Sequence, residues 1–154
     1  MPELAKNKRA FFDYDILETF EAGIVLSGQE VKSVRQGNVS LKGAFVTLRH
    51  LPKKKNVVEA WLTNAHITPY AKAGPLPGYD PTRTRKLLMH ARELATLMGK
   101  RKQAGLTLLP LSLYTQRNRI KVHVGLGRGK KKYEKRETIK RRETDRTIRE
   151  SLKR

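Results

Sequence analysis

The chain has 154 residues, enough for one domain with an appendage, and a hydrophobic fraction of 38% that leaves part of it outside any core. Its 34 Lys and Arg against 14 Asp and Glu give a formal net charge of +20, which opposes compaction and attracts polyanions. No apolar run reaches the length of a membrane span, Met1–Arg9 lacks a signal-peptide core, and the absence of Cys excludes disulfides, thiolate metal sites and a thiol nucleophile.

Residues 1–10, with Lys6, Lys8 and Arg9, read as a basic arm. From Phe11 to Leu26 the pattern is strand-like, and Glu21-Ala22-Gly23 predicts a hairpin break between two strands. Ser27 is placed to cap a short helix to about Arg35, with Val31 and Val34 on its inward face. Strands are predicted near Ala44–Arg49 and Val57–Asn64, joined by the polar turn Pro52-Lys53-Lys54-Lys55-Asn56. Thr68 to Pro81, rich in Pro and Gly, reads as a long loop. Asp80-Pro81-Thr82 predicts a helix start, with Leu87, Ala91, Leu94 and Met98 in helical period beyond it. Two further strands follow, Leu106–Tyr114 and Arg119–Leu126; the second puts Ile120, Val122, Val124 and Leu126 on one face and Lys121 and His123 on the other.

After Leu126 the composition changes. Gly127-Arg128-Gly129 reads as a hinge, followed by Lys130, Lys131 and Lys132. From Tyr133 to Arg154 the only large aliphatic residues are Ile139, Ile148 and Leu152, too few to offset about 1–2 kcal/mol of backbone entropy per residue. The tail is therefore expected to be disordered alone and helical when bound. The whole pattern predicts a mainly β fold: a small antiparallel OB-type barrel over 11–127, with added short helices and a basic tail over 128–154.

Catalytic chemistry finds little support. His50, His66, His90 and His123 show no metal-ligand spacing. Gly125-Leu126-Gly127-Arg128-Gly129-Lys130 lacks the spacer of a phosphate loop. Glu18 with Glu21, and Glu134 with Glu137, read as salt-bridge partners in a basic chain. The cationic segment from Tyr133 to Glu143 suits a phosphate-lined surface, and Tyr133 offers an aromatic ring for stacking. Glu30 has two readings: a salt bridge to Lys32 or Arg35, or an acceptor for base amino groups while those two cations hold phosphate. Periodicity does not separate them.

Four ordered motifs carry a family resemblance: Gly28-Gln29-Glu30-Val31-Lys32-Ser33-Val34-Arg35; Asn64-Ala65-His66-Ile67-Thr68-Pro69-Tyr70; Tyr79-Asp80-Pro81-Thr82-Arg83-Thr84-Arg85-Lys86-Leu87-Leu88; and Gly129-Lys130-Lys131-Lys132-Tyr133-Glu134-Lys135-Arg136 with Ile139-Lys140. From about Lys6 to its end the chain resembles the bacterial SsrA-binding, or small protein B, family. The resemblance implies a cytoplasmic, monomeric, non-enzymatic protein without cofactor or metal. It would bind the tRNA-like domain of transfer-messenger RNA and enter stalled ribosomes in trans-translation, with alanyl-tRNA synthetase and elongation factor Tu acting on the same RNA.

Carried over by motif, Glu30, Lys32 and Arg35 would face the tRNA-like domain, with Asn7, Lys8, Arg9 and Asn64 as neighbours; Arg83, Arg85 and Lys121 are further candidate RNA contacts. Gly129 would be the hinge. Lys130, Lys131, Lys132, Tyr133, Glu134, Lys135 and Arg136 would approach the decoding centre, with Ile139, Lys140 and Arg142 along the messenger channel. Glu134 departs from the family pattern, which more often has Asp there. Two other functions compete: a general ribosomal-RNA-binding protein or RNA chaperone, and an RNA-processing enzyme.

Overall fold

The computed structural model describes residues 3–54, 57–103, 105–130 and 132–152. β1 (Glu3–Lys6) pairs antiparallel with β8 (Leu106–Gln116), and α1 (Lys8–Asp13) follows at once. Asn7 sets this corner. Its side-chain oxygen accepts the Ala10 N–H at 3.2 Å, and its Nδ2 donates to the Pro110 carbonyl at 2.8 Å. The described part of the expected basic arm is thus woven into the sheet.

β2 (Tyr14–Ile24) runs without a break. Glu21, Ala22 and Gly23 pair with His123, Val122 and Lys121 of β9 (Arg119–Gly129), so the expected hairpin is absent. Gly23 serves close approach instead of a turn. It also pairs with Leu88 of β7 (Arg85–Leu88), and a Cβ on it would lie 3.4 Å from the Leu88 Cβ.

α2 (Gly28–Arg35) starts as read from the sequence, with a capping box between Ser27 and Glu30 and with Val34 fully buried. A small ribbon joins β3 (Val39–Ser40) to β6 (His66–Ile67), and β4 (Phe45–His50) pairs with β5 (Val58–Thr63). Lys55 and Asn56 of the expected turn between β4 and β5 lie outside the described residues.

The helix expected from Asp80 begins only at α3 (Ala91–Arg101). Before it, Asp80 Oδ1 accepts from both the Thr82 N–H and hydroxyl in a local turn, and residues 85–88 form β7. There Arg85 and Leu87 point inward while Lys86 and Leu88 point out, a period of two that sheet pairing imposes over helical propensity. β8 and β9 form the longest hairpin, turning at Arg117-Asn118 with φ of 50° and 64°, a type I′ signature.

The seven strands run antiparallel in the order β1-β8-β9-β2-β7-β5-β4, and β4 also lies beside β8, so the sheet curls into an OB-type barrel. Ala60, Leu62, Leu87, Val122 and Val124 fill it, with Leu97 of α3 sealing one side. A second small cluster of Ala10, Leu109 and Leu111 sits under α1.

The expected hinge belongs to β9. Gly127 pairs with Ile16 and Thr107, Arg128 with Asp15 and Leu106, and Gly129 with Tyr14. These glycines let β9 lie tight against its neighbours: a Cβ on Gly127 would come 3.1 Å from the Tyr14 Cβ. The chain leaves the sheet after Gly129, where the Lys130 N–H donates to the Asp13 carbonyl at 2.8 Å. α4 (Lys132–Leu152) follows as a continuous helix.

Candidate nucleic-acid interface

Glu30 faces into the protein. It is fully buried, its Oε1 accepts the Ser27 N–H at 3.0 Å, and it pairs with Arg83 and Arg85. Neither partner expected from local spacing, Lys32 or Arg35, is used. Burial alone raises the Glu30 pKa. The Arg83 hydrogen bond, the Ser27 N–H and the Arg85 guanidinium overcome that and hold it at about 2.

Arg85, also fully buried, donates to Glu30 Oε2 at 2.7 Å, to the Ala65 carbonyl at 2.8 Å and to the Pro81 carbonyl at 2.9 Å. The Tyr79 hydroxyl donates to the Ile67 carbonyl at 2.9 Å and lies 3.2 Å from Glu30 Oε2. This cluster clips the 68–84 loop onto α2 and β6. Glu30 and Arg85 are therefore positioning residues and not surface contacts, which corrects the expectation for both. Asn7, 5% exposed and committed to Ala10 and Pro110, is corrected in the same way. Arg83 is half-buried, its charge spent on Glu30.

The remaining expected residues reach solvent. Lys32 extends over the Tyr70 ring at 5.6 Å. Arg35 donates to the Asn118 carbonyl at 2.9 Å and shares a groove with Lys121 and Arg119, floored by Ile24, Val31 and Leu88. Lys121 lies 3.9 Å from Glu21. Asn64 is exposed in a left-handed conformation (φ 65°) at the end of β5, a position that Asn tolerates. Lys8 and Arg9 lie across from Lys42 in a second groove that Lys6 also lines.

The structure thus places four of the expected cations in two grooves and leaves Lys32 and Asn64 outside both. One, under α1, holds Lys8 and Arg9; the other, beside the β8–β9 turn, holds Arg35 and Lys121. Sequence reasoning missed Lys42, Arg119 and the exposed Leu88. Leu88 was hidden by the helical reading of residues 85–88, because only strand alternation turns it outward.

In the tail, Arg136, Ile139, Lys140 and Arg142 are exposed on α4. Arg142 lies over the Phe12 ring at 5.8 Å, and Lys130 Nζ donates to the Phe11 carbonyl at 3.3 Å, so α4 rests against α1. Lys131 lies outside the described residues, as do the side chains of Lys132, Tyr133, Glu134 and Lys135. Among the described residues no cluster of His, Asp and Glu is placed to hold a metal ion, and no helix is long and apolar enough to cross a membrane.

Comparison with known proteins places this arrangement in context. Residues 4–154 match the family described as SmpB protein. An SsrA-binding protein of Acaryochloris marina is 50% identical over 151 residues, covering 98% of this chain and 94% of the relative. One from Synechococcus elongatus is 49% identical over the same shares of both chains. A solved structure described as "tmRNA-SmpB: a journey to the center of the bacterial ribosome" superposes with a TM-score of 0.64 and 49% identity, over 82% of this chain and 84% of that one.

Proposed function

The chain belongs to the SmpB protein family, and from that premise we propose that it binds the tRNA-like domain of transfer-messenger RNA and brings it to stalled ribosomes for trans-translation. One observation carries this reading: how the charges pair. Among the described residues, four of the barrel's acids are matched by its own cations, Glu30 by Arg83 and Arg85, Glu59 by Lys86, Glu18 by Lys100 and Asp13 by Arg9. Among the described residues, Lys6, Lys8, Lys32, Arg35 and Lys42 have no acidic partner within salt-bridge distance, and all of them but Lys32 line open grooves. Unneutralised cations on a rigid scaffold are the footprint of a phosphate backbone.

In this reading the barrel stands in for the missing anticodon arm of the tRNA-like domain. α4 reaches the decoding centre and the empty messenger channel through Lys130 to Arg136 and then Ile139, Lys140 and Arg142. The tail is ordered by that contact and disordered without it. The protein works as a cytoplasmic monomer and catalyses nothing itself; alanyl-tRNA synthetase charges the RNA and elongation factor Tu delivers it.

Gel-shift with transfer-messenger RNA against an ordinary tRNA of similar size, at two salt concentrations, tests the binding half. Preference for the tRNA-like RNA is expected; equal binding of ribosomal RNA fragments would point instead to a general RNA chaperone. A chain ending at Lys132 tests the division of labour. It should keep its RNA affinity and lose tagging on stalled ribosomes, and loss of RNA binding on truncation contradicts the two-part scheme.

A further inference from the structure

We propose that the β4–β5 turn and the C-terminal end of α3 form a clamp for the phosphate backbone of a duplex arm of the tRNA-like RNA. The inference rests on the RNA-binding reading above. It adds a third contact surface, outside both grooves and outside the four motifs that carry the family resemblance.

Two segments far apart in sequence meet here. β4 ends at His50, and the turn beyond it closes through the Leu51 N–H on the Val57 carbonyl at 3.0 Å and the Lys54 N–H on the Leu51 carbonyl at 3.3 Å. α3 ends at Arg101, whose Nη1 donates to the Leu48 carbonyl at 3.2 Å. That bond brings Arg101 and Lys102 beside the end of β4. Arg49, Lys53, Lys54, Arg101 and Lys102 are all exposed.

The pairing of charges leaves this cluster unneutralised. Glu59 stands directly opposite Arg49 in the β4–β5 register, yet its carboxylate pairs with Lys86 at 3.2 Å. Glu18 is taken by Lys100. Among the described residues, none of the five cations has an acid within salt-bridge distance. Like charges gathered on a folded surface repel one another, and a bound polyanion relieves that repulsion.

The two guanidinium groups are aimed before anything binds. Arg49 lies over the Trp61 ring at 5.6 Å, and Arg101 is tied to β4 through one nitrogen. Each keeps further N–H donors for a phosphate, with less side-chain entropy left to lose. The Trp61 ring is half-buried and already has Arg49 over it, so it is spent on the cation and not offered to a base. The cluster therefore suits the backbone of a duplex, which proteins recognise through phosphates and shape.

Position selects the tRNA-like RNA as the occupant. Leu88 lines the groove beside the β8–β9 turn. It follows Leu87, which pairs with Ala60, so Leu88 lies level with Glu59 and, one strand further, with Arg49. Arg49 is therefore two strand spacings, roughly 10 Å, from that groove. Tyr14, where the tail leaves the sheet, shares a groove with Phe45 at the other end of β4, about 13 Å from Arg49. A stem continuing from RNA held at Leu88 passes over the clamp, and the surface from which the tail starts does not reach it.

The chain has no Cys, so Lys54→Cys in the full-length protein gives one unique thiol for an iron–EDTA probe. In complex with tRNA-like RNA, hydroxyl radicals from that position should cut both strands of one stem. A Lys53→Ala, Lys54→Ala double variant should weaken binding of tRNA-like RNA about tenfold and make the log–log salt slope shallower by about 1.4 to 1.8, two phosphate contacts. Lys102→Ala should weaken it about threefold, with about half that change in slope. All these substitutions lie at exposed positions, so the melting temperature should stay at the parent's value.

If the parent shows no preference for the tRNA-like RNA, the RNA-binding reading fails and the clamp with it. If the parent binds as expected, but the variants match it in affinity and slope and the tethered iron cuts no stem, the clamp alone is overturned. Cuts in ribosomal RNA alone on loaded ribosomes, with binding of tRNA-like RNA unchanged in the variants, also overturn it and assign the turn to the ribosome.

Discussion

Glu30 shows how one buried side chain can tie a helix to a loop. A carboxylate with no solvent exposure is tolerated only when its charge is matched, and here two guanidinium groups and a helix-cap N–H do so. Glu30→Gln keeps the shape and removes the charge, leaving Arg85 buried and uncompensated. The expected loss is about 3–5 kcal/mol of stability, read as the shift in urea midpoint. RNA affinity should fall as well, because the 68–84 loop and α2 lose their clip. Acid should act on the same group. Its folded pKa of about 2 lies below the ordinary value of 4.5, so the stabilisation is complete above about pH 5 and drains away as pH falls toward 2. Melting temperature against pH should therefore slope downward over that window in the parent and flatten in the Gln variant. An equal acid slope in both would mean that other carboxylates carry it.

At the scale of elements, the β8–β9 hairpin rests on a strained choice of residues. Its two-residue turn needs positive φ at both positions, and Arg117 at 50° is a poor occupant where Asn is favoured. Replacing Arg117-Asn118 by Asn-Gly should raise stability by about 1 kcal/mol, measured as a higher urea midpoint at unchanged slope. Arg35 should keep its contact, since it bonds the backbone carbonyl of residue 118.

The same hairpin was legible in the sequence because its information is local: alternating Ile120, Val122 and Val124 beside a polar turn. α2 was legible for the same reason, through Ser27, Val31 and Val34. What stayed hidden depends on partners far along the chain. Gly23 reads as a turn until β7 is seen beside it, and Gly127 reads as a hinge until Tyr14 is seen above it. Residues 85–88 read as helix until Leu87 is paired with Ala60 and Ile24. At the site, Lys8, Arg9, Lys32 and Arg35 could be found as cations, but Glu30 and Arg85 are 55 residues apart and nothing in the sequence announces that they neutralise each other.

For the whole molecule, the distribution of charge is more telling than its total. Residues 128–154 hold thirteen Lys or Arg and five Asp or Glu, a net of +8, so residues 1–127 carry +12 of the +20. The tail is rich in charge of both signs, and most of the uncompensated excess sits on the barrel and its two grooves. The electrostatic grip on RNA is therefore expected to belong to the barrel. Log affinity for tRNA-like RNA should fall linearly with log salt, by about 0.7 to 0.9 for each phosphate neutralised. A chain ending at Lys132 should show nearly the same slope as the full chain. Self-repulsion of the same charges gives salt the opposite effect on folding: added salt screens it and should raise the melting temperature of the free protein. Binding that weakens while the fold strengthens separates loss of phosphate contacts from denaturation. A slope that drops by half on truncation would transfer the grip to α4 and make the tail an RNA anchor in its own right.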